Sequence, residues 1–139
     1  MTAEPHALAP GDAGGEVLRL DEPLSFWGGI DPATGAIIEP RHPQLGERIT
    51  GRVLVMPAGR GSSSSSTVLA EAIRAGNGPA AIVLAQPDGI VVLGSIVARE
   101  LYGIAVPVVV APSEAATGDH LRLRAAADGS AELTTPPPT

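Results

Sequence analysis

Apolar residues in the middle of this chain form short continuous runs that are separated by turn residues. Runs at 53–57, 80–85 and 107–110 are almost wholly apolar, which is typical of strands buried on both faces of a parallel sheet. Between the first two runs, residues 68–74 place Val, Leu, Ala and Ile on one face of a helix. The pattern predicts a strand–loop–helix–strand unit with a right-handed crossover.

In the later part of the chain the spacing of apolar residues changes twice. Residues 90–93 predict another short strand, and residues 95–102 predict a helix that stops at Gly103. Residues 118–125 then alternate with period two, the mark of a half-exposed strand, and residues 131–134 can pair back on it after a hairpin-type turn. Near the start of the chain, a further strand is predicted to begin at Glu16.

Glycine and proline dominate both ends. Residues 1–15 hold two prolines and three glycines with little apolar content, so we expect a disordered lead-in, and residues 135–139 form a Pro-rich tail. Residues 16–134 then make a single domain. The predicted fold class is α/β: a compact β/β/α domain with a small parallel core sheet and additional antiparallel strands.

Composition narrows the classes of protein. Only three of the 139 residues are aromatic, so the core must be built from Val, Leu, Ile and Ala. The net charge of −6 argues against nucleic acid as a partner, since binding it needs a basic surface. No cysteine is present, which excludes disulfides, a thiol nucleophile and cysteine-held metal clusters in this chain. No run reaches the ~20 apolar residues of a membrane span and no signal peptide is evident, so we expect a cytoplasmic protein.

The candidate chemistry lies in residues 59–67, here called the serine loop, which reads Gly-Arg-Gly followed by five serines and a threonine. Glycines permit a tight turn, the serines can cap the following helix, and the helix start favours an anion. A flexible linker is disfavoured by the globular pattern on both sides. A Walker motif lacks its Gly-Lys-Ser/Thr triplet, and a hydrolase lacks its Gly-x-Ser-x-Gly elbow. A serine at a helix start beside Arg60 has a stabilised alkoxide form and could accept a proton from carbon.

Two further places have open interpretations. Gly28 and Gly29 follow Phe26 and Trp27, and they could mark a strand that turns after packing its rings, or backbone that approaches a ligand. His42 lies before a proline, which fixes its backbone, and it could be a surface residue or a group for polar binding or proton transfer.

Several blocks of sequence occur together in an order typical of one family. They are Phe26-Trp27-Gly28-Gly29-Ile30-Asp31, Gly35, His42-Pro43, Gly46, Gly51-Arg52-Val53-Leu54-Val55-Met56-Pro57, Gly59-Arg60-Gly61-Ser62-Ser63, Pro79-Ala80-Ala81-Ile82, Gly94-Ser95-Ile96-Val97-Ala98 and Ile104-Ala105-Val106-Pro107-Val108-Val109. Over about residues 16–125 the chain resembles the swivel domain, or small subunit, of the aconitase X family.

The resemblance implies a swivelling β/β/α fold and a partner. That partner is a large subunit or domain that carries a cysteine-bound iron–sulfur cluster, while this chain binds no metal itself. Related aconitases take their serine base from a Gly-Ser-Ser segment, and the matching residue here is Ser62. One departure is that aconitases place an arginine directly after the serine pair, where this chain has Ser64. Arg60 lies before the serines instead, and it could bind a substrate anion from there. Together with the local interpretations above, the candidate substrate-binding residues are Arg60, Gly61, Ser63, Ser66, Gly28, Gly29 and His42.

The resulting hypothesis is the small subunit of a two-subunit hydro-lyase that dehydrates a small hydroxy acid. In this hypothesis the serine abstracts a proton and the iron of the partner acts as Lewis acid on the departing hydroxyl. Abundant Ala, Gly and Arg with no Lys suggest a GC-rich bacterial coding sequence, which favours cis-3-hydroxy-L-proline as substrate. The alternatives are the small subunit of a mevalonate 5-phosphate dehydratase and a non-catalytic module that binds an anion or regulates a partner.

Overall fold

The computed structural model describes residues 4–135 of the chain. In chain order the elements are β1 (His6–Ala9), β2 (Gly11–Arg19), α1 (Phe26–Gly29), β3 (Ile30–Asp31), β4 (Ala36–Ile37), β5 (Val53–Met56), α2 (Ser64–Arg74), β6 (Ala81–Leu84), α3 (Gly89–Tyr102), β7 (Val108–Val110), β8 (His120–Ala125) and β9 (Ala131–Thr134). The longest helix is α3, with 14 residues. Within the described part of the chain, no helix is both long and apolar enough to cross a membrane.

Seven strands form one mixed sheet in the order β1-β7-β6-β5-β2-β8-β9. The four central strands β2, β5, β6 and β7 are parallel to their neighbours in that group. Strand β1 pairs antiparallel with β7 at one edge, while β8 and β9 add antiparallel strands on the other side. Strands β3 and β4 make a separate two-stranded hairpin. The predicted fold class, a small parallel core with added antiparallel strands, is confirmed.

Residues that alternate along the parallel strands divide the core in two. Leu54 and Ile82 point to the cluster that contains Leu69 of α2 and Ala98 of α3. Val53 and Val83 point to the other side, where Leu123 of β8 closes a second cluster. Because both sides of the parallel strands are covered, those strands are continuously apolar, whereas β8 alternates between exposed and buried positions.

The expectation that residues 1–15 are disordered is wrong for the strands within it. Strand β1 pairs with β7, and β2 pairs with both β5 and β8. The glycines mark close approach of neighbouring backbones: a Cβ on Gly14 would lie 2.8 Å from the Leu121 carbonyl oxygen, and one on Gly15 would lie 2.8 Å from that of Gly51. Residues 1–3 of the expected lead-in and 136–139 of the expected tail lie outside the described residues.

The predicted strand at 90–93 is also wrong, because these residues form the first turns of α3. The Asp88 carboxylate accepts hydrogen bonds from the backbone N–H groups of Ile90 and Val91, and this cap starts the helix six residues earlier than expected. The predicted stop at Gly103 is confirmed: its φ of 69° is left-handed and its N–H closes the last turn on Arg99.

Candidate active site

The serine loop follows the carboxyl end of β5, and its last four residues form the first turn of α2. The helix therefore begins at Ser64, four residues before the predicted 68–74. Ser62 and Ser63 are exposed and precede Ser64, the first residue of the helix. The backbone N–H of Ser65 donates to the Ser62 carbonyl at 2.9 Å, and that of Ser64 lies 3.3 Å from Ser62 Oγ. The Ser62 hydroxyl therefore sits at the positive end of the helix while remaining open to solvent. Ser63, at the N-cap position, makes no capping bond with its side chain.

A pair of hydroxyl groups fixes the loop to the chain segment that precedes α1. Ser25 Oγ and Ser65 Oγ lie 3.2 Å apart, and Ser65 is buried. The same pair holds Trp27 by its backbone: Ser65 Oγ accepts from its N–H at 3.2 Å, and Ser25 Oγ donates to its carbonyl at 2.9 Å. We call this arrangement the Ser25/Ser65 network.

Gly61 packs directly against the Ser25/Ser65 network. Its φ is +109°, and a Cβ at this position would lie 2.5 Å from Ser25 Oγ and 2.9 Å from Ser65 Oγ. Both the backbone conformation and the available space therefore require glycine. This explains why a glycine precedes the serines.

Arg60 is tied to the same neighbouring segment and to a carboxylate. Its backbone N–H donates to the Leu24 carbonyl at 3.1 Å, and its Nη2 lies 2.5 Å from Glu39 Oε1. The second carboxylate oxygen, Glu39 Oε2, is buried and has no hydrogen-bond partner among the described residues. About half of the Arg60 side chain is exposed, so an anion at the loop would share the guanidinium with Glu39.

Ser66, one of the candidate substrate-binding residues, makes its side-chain contact inside the protein. Its side chain is buried, and its hydroxyl donates to the Ile90 carbonyl at 2.7 Å. That bond reaches a carbonyl in the first turn of α3 and joins the two helices. The structure does not support direct binding of substrate by this hydroxyl.

His42 is 5% exposed, so the interpretation as a surface histidine is wrong. Its Nδ1 accepts from the backbone N–H of Gln44 at 3.0 Å, and its Nε2 lies 3.2 Å from the Glu22 carbonyl. These partners fit the tautomer that carries its proton on Nε2. The ring fastens two loops to each other, and both nitrogens are occupied, so substrate binding by His42 is not supported.

The two adjacent glycines differ in their surroundings. Gly28 is exposed at φ +76° and a Cβ there would meet nothing within 4 Å, whereas Gly29 is buried against Leu24. Phe26 is buried, but Trp27 is 63% exposed, so the interpretation that packs both rings into the core is wrong for Trp27. Only Gly28 of this pair presents backbone that a ligand could approach.

The structure thus brings Arg60, Gly61, Ser62, Ser63 and Gly28 to one region, and it commits Ser66 and His42 elsewhere. Sequence reasoning missed Ser25, Ser65 and Glu39. Ser25 and Glu39 lie 40 and 21 residues from their partners along the chain, and no local pattern links such distant positions.

The residues of this chain do not fit an iron–sulfur cluster. The sequence has no cysteine. Across residues 4–135 no three His, Asp or Glu side chains are grouped so that they could hold a metal ion. Thiolate ligands for a cluster would have to come from outside these 139 residues.

Comparison with known proteins identifies the family. The model of the aconitase X swivel domain matches residues 2–131. The chain is 48% identical over 104 residues to a cis-3-hydroxy-L-proline dehydratase of Pseudomonas aeruginosa, covering 75% of this chain and 18% of that protein. It is 38% identical over 114 residues to the phosphomevalonate dehydratase small subunit of Methanothermobacter thermautotrophicus, covering 82% of each.

A solved structure agrees with the sequence matches. The crystal structure of Thermococcus kodakaraensis aconitase X in its holo-form superposes with a TM-score of 0.82 at 31% identity, over 96% of this chain and 98% of that one. The chain nevertheless spans less than a fifth of the length of the cis-3-hydroxy-L-proline dehydratases that it matches. It belongs to the family of aconitase X swivel domains.

Proposed function

We propose that this chain is the small subunit of a two-subunit hydro-lyase of the aconitase X type, with cis-3-hydroxy-L-proline as its substrate. The observation that carries the proposal is the exposed Ser62 hydroxyl at the start of α2, next to Arg60. The relatives named as cis-3-hydroxy-L-proline dehydratases support the reaction class, at 48% and 42% identity.

Ser62 is the proposed base. The amino end of α2 and the N–H of Ser64 both favour negative charge on Oγ. Forming the alkoxide of Ser62 therefore costs less free energy than forming that of a free serine. The alkoxide takes a proton from a carbon of the substrate, the electrons of that C–H bond form a C=C bond, and the hydroxyl leaves from the neighbouring carbon. The hydroxyl departs as hydroxide, and the proton taken up by Ser62 balances it, so that release of one water molecule returns Ser62 to the alkoxide.

The substrate carboxylate is the proposed partner of Arg60. A guanidinium can serve two carboxylates at once because its N–H groups point in several directions, so the bond to Glu39 holds the side chain in place while other N–H groups remain available. Ser63 and the backbone at Gly61 and Gly28 are exposed on the same region and complete the proposed binding surface.

The rest of the site is proposed to come from a large aconitase X-type subunit. The small share of the longer dehydratases that this chain covers supports such a partner, as do relatives named as small subunits. The iron–sulfur cluster is assigned to that partner, because this chain has no residues that fit it. No step at the cluster is therefore attributed to residues described here.

The decisive experiment mixes the chain with its large subunit and measures turnover of cis-3-hydroxy-L-proline. Ser62→Ala should lower kcat by roughly 10²–10⁴-fold, the range for loss of a general base. Ser64→Ala, a neighbouring exposed serine in the first turn of α2, is the matched control and should stay within about twofold of wild type. Near-normal turnover by Ser62→Ala would overturn the assignment of the base.

Mevalonate 5-phosphate is the second candidate substrate. It is favoured by the match to phosphomevalonate dehydratase small subunits, where alignment covers 82% of both chains in one case. Parallel assays with both compounds decide between them. If the assembled wild-type complex turns over neither, a non-catalytic module that binds an anion becomes the better description.

A further inference from the structure

Trp27 is exposed in a way that its own chain does not explain. The residue is 63% exposed, although the chain has only three aromatic residues and buries Phe26 beside it. Exposing an indole to water forgoes one of the largest favourable burial terms that a side chain offers. A covered Trp27 in an assembled complex would recover it.

The backbone of Trp27 is held more firmly than that of an ordinary loop residue. Its N–H and its carbonyl both bond to the Ser25/Ser65 network, at 3.2 Å and 2.9 Å. The indole is therefore carried by a backbone that is already fixed, so covering it costs little backbone entropy. Tryptophan is enriched among the residues that dominate binding energy at protein interfaces.

Trp27 lies on the same part of the surface as the proposed base. Ser65, which binds its backbone, is the second residue of α2, and Ser62 lies three residues before it. Ile38, 47% exposed, donates its backbone N–H to the Gly29 carbonyl and adds a second apolar side chain near the segment of Trp27. We call Trp27, Ile38, Ser62 and Ser63 the serine-loop face.

We propose that Trp27 is the anchor by which this chain docks onto the large subunit, at the edge of the shared active site. The proposal rests on the proposed function. Two observations select this partner: residues 4–135 hold no group that fits a metal ion, and the domain occurs in relatives joined to more than four-fifths of a longer chain. Whatever completes the site must approach Ser62, and the backbone of Trp27 is bonded to Ser65 in the first turn of the same helix.

The test measures association directly, by calorimetric titration of the full-length chain into the purified large subunit. Trp27→Ala should raise the Kd by about 30-fold or more, the size expected for an interface anchor. Trp27→Phe should recover part of the loss because it retains an aromatic side chain. The far-UV circular dichroism and thermal midpoint of the isolated variants check that the fold is retained.

Leu101→Ala is the matched control and also tests the rival surface. Leu101 is 68% exposed on α3, within a patch that includes Leu93 and Tyr102. Its Kd should stay within about twofold of wild type. An unchanged Kd for Trp27→Ala would overturn the proposal. A larger loss of affinity for Leu101→Ala would also overturn it and would place the interface on α3.

Measuring turnover at several protein concentrations distinguishes the docking role of Trp27 from the proposed catalytic role of Ser62. Diluted mixtures with Trp27→Ala should lose activity and regain it when that variant is added in excess, because the defect lies in association. Ser62→Ala should bind the large subunit with wild-type Kd. Loss of turnover at every concentration together with an unchanged Kd in Trp27→Ala would refute the docking role while leaving the hydro-lyase assignment intact. Failure of the wild-type chains to associate would refute both.

Discussion

Gly61 determines whether the serine loop can rest on the segment beneath it. Its positive φ and its contact with the Ser25/Ser65 network leave no room for a Cβ. We expect Gly61→Ala to lower the free energy of unfolding by about 2–4 kcal/mol, from the left-handed backbone and from overpacking together. Chemical denaturation measures this, and turnover of the complex should fall as the loop is displaced.

Gly46 offers a control for the backbone contribution alone. Its φ is +93°, but a Cβ there would meet nothing within 4 Å. Gly46→Ala should therefore cost only about 1–2 kcal/mol and leave turnover unchanged. Equal losses for the two variants would show that the collision with the hydroxyl pair does not matter.

The sequence predicted the serine loop but not which of its serines are buried and which are exposed. Five identical residues carry no internal signal, and their orientation depends on where the helix begins. Once α2 starts at Ser64, the helical turn directs Ser65 and Ser66 inward and leaves Ser62 and Ser63 outside. The buried position of His42 was equally hidden, because its two partners are backbone groups whose location only the folded loops define.

At the scale of elements, the contact between α2 and α3 depends on Gly94. A Cβ there would lie 2.9 Å from Leu69 Cδ2 and 3.0 Å from the Ser66 carbonyl oxygen. Gly94→Ala should lower the free energy of unfolding by about 1–3 kcal/mol, because the helices would have to separate. A shift in the urea midpoint measures it.

Gly89→Ala is the control for Gly94→Ala, because it adds a Cβ to the same helix without a close contact with α2. Gly89 is the first residue of α3, and a Cβ there would meet nothing within 4 Å. Gly89→Ala should be neutral or stabilising by up to about 1 kcal/mol. A loss as large as that of Gly94→Ala would mean that helix packing is not the cause.

Local pattern identified β5, β6, β7 and most of α2, but it missed the first four residues of α2 and the first five of β2. It failed where distant contacts decide. Val91 and Val92 favour a strand by propensity, but the Asp88 cap and the burial of Val91 against the core place them in a helix. Gly14 and Gly15 read as disorder because closeness to another strand has no signature within their own segment.

For the whole molecule, the strand nearest the amino terminus closes one edge of the sheet. Strand β1 covers β7 through the pairs that join His6 to Val110 and Ala7 to Val109, and Ala9 is buried in the core. Deleting residues 1–10 should lower the free energy of unfolding by roughly 2–4 kcal/mol, since several hydrogen bonds and part of the core are lost.

Replacing residues 6–9 by Gly and Ser at constant length separates loss of the strand from shortening of the chain. Both variants should show a similar shift in the urea midpoint. Wild-type stability in either one would contradict the integral place of β1 in the sheet.

The serines of the serine loop are held by neutral groups, whereas the side chain of Arg60 is held by an ion pair. A change in ionic strength should therefore affect Arg60 more than the serines. Neutral hydroxyl and backbone groups hold the loop, whereas the ion pair of Arg60 and Glu39 is part-exposed and subject to screening. In the assembled enzyme, at saturating concentrations of both subunits, raising salt to about 0.5 M should increase KM for a substrate whose carboxylate binds Arg60 and leave kcat nearly constant. Parallel changes in kcat would show that the loop itself depends on charge. The affinity for the substrate would then depend on ionic strength, whereas the position of the Ser62 hydroxyl would not.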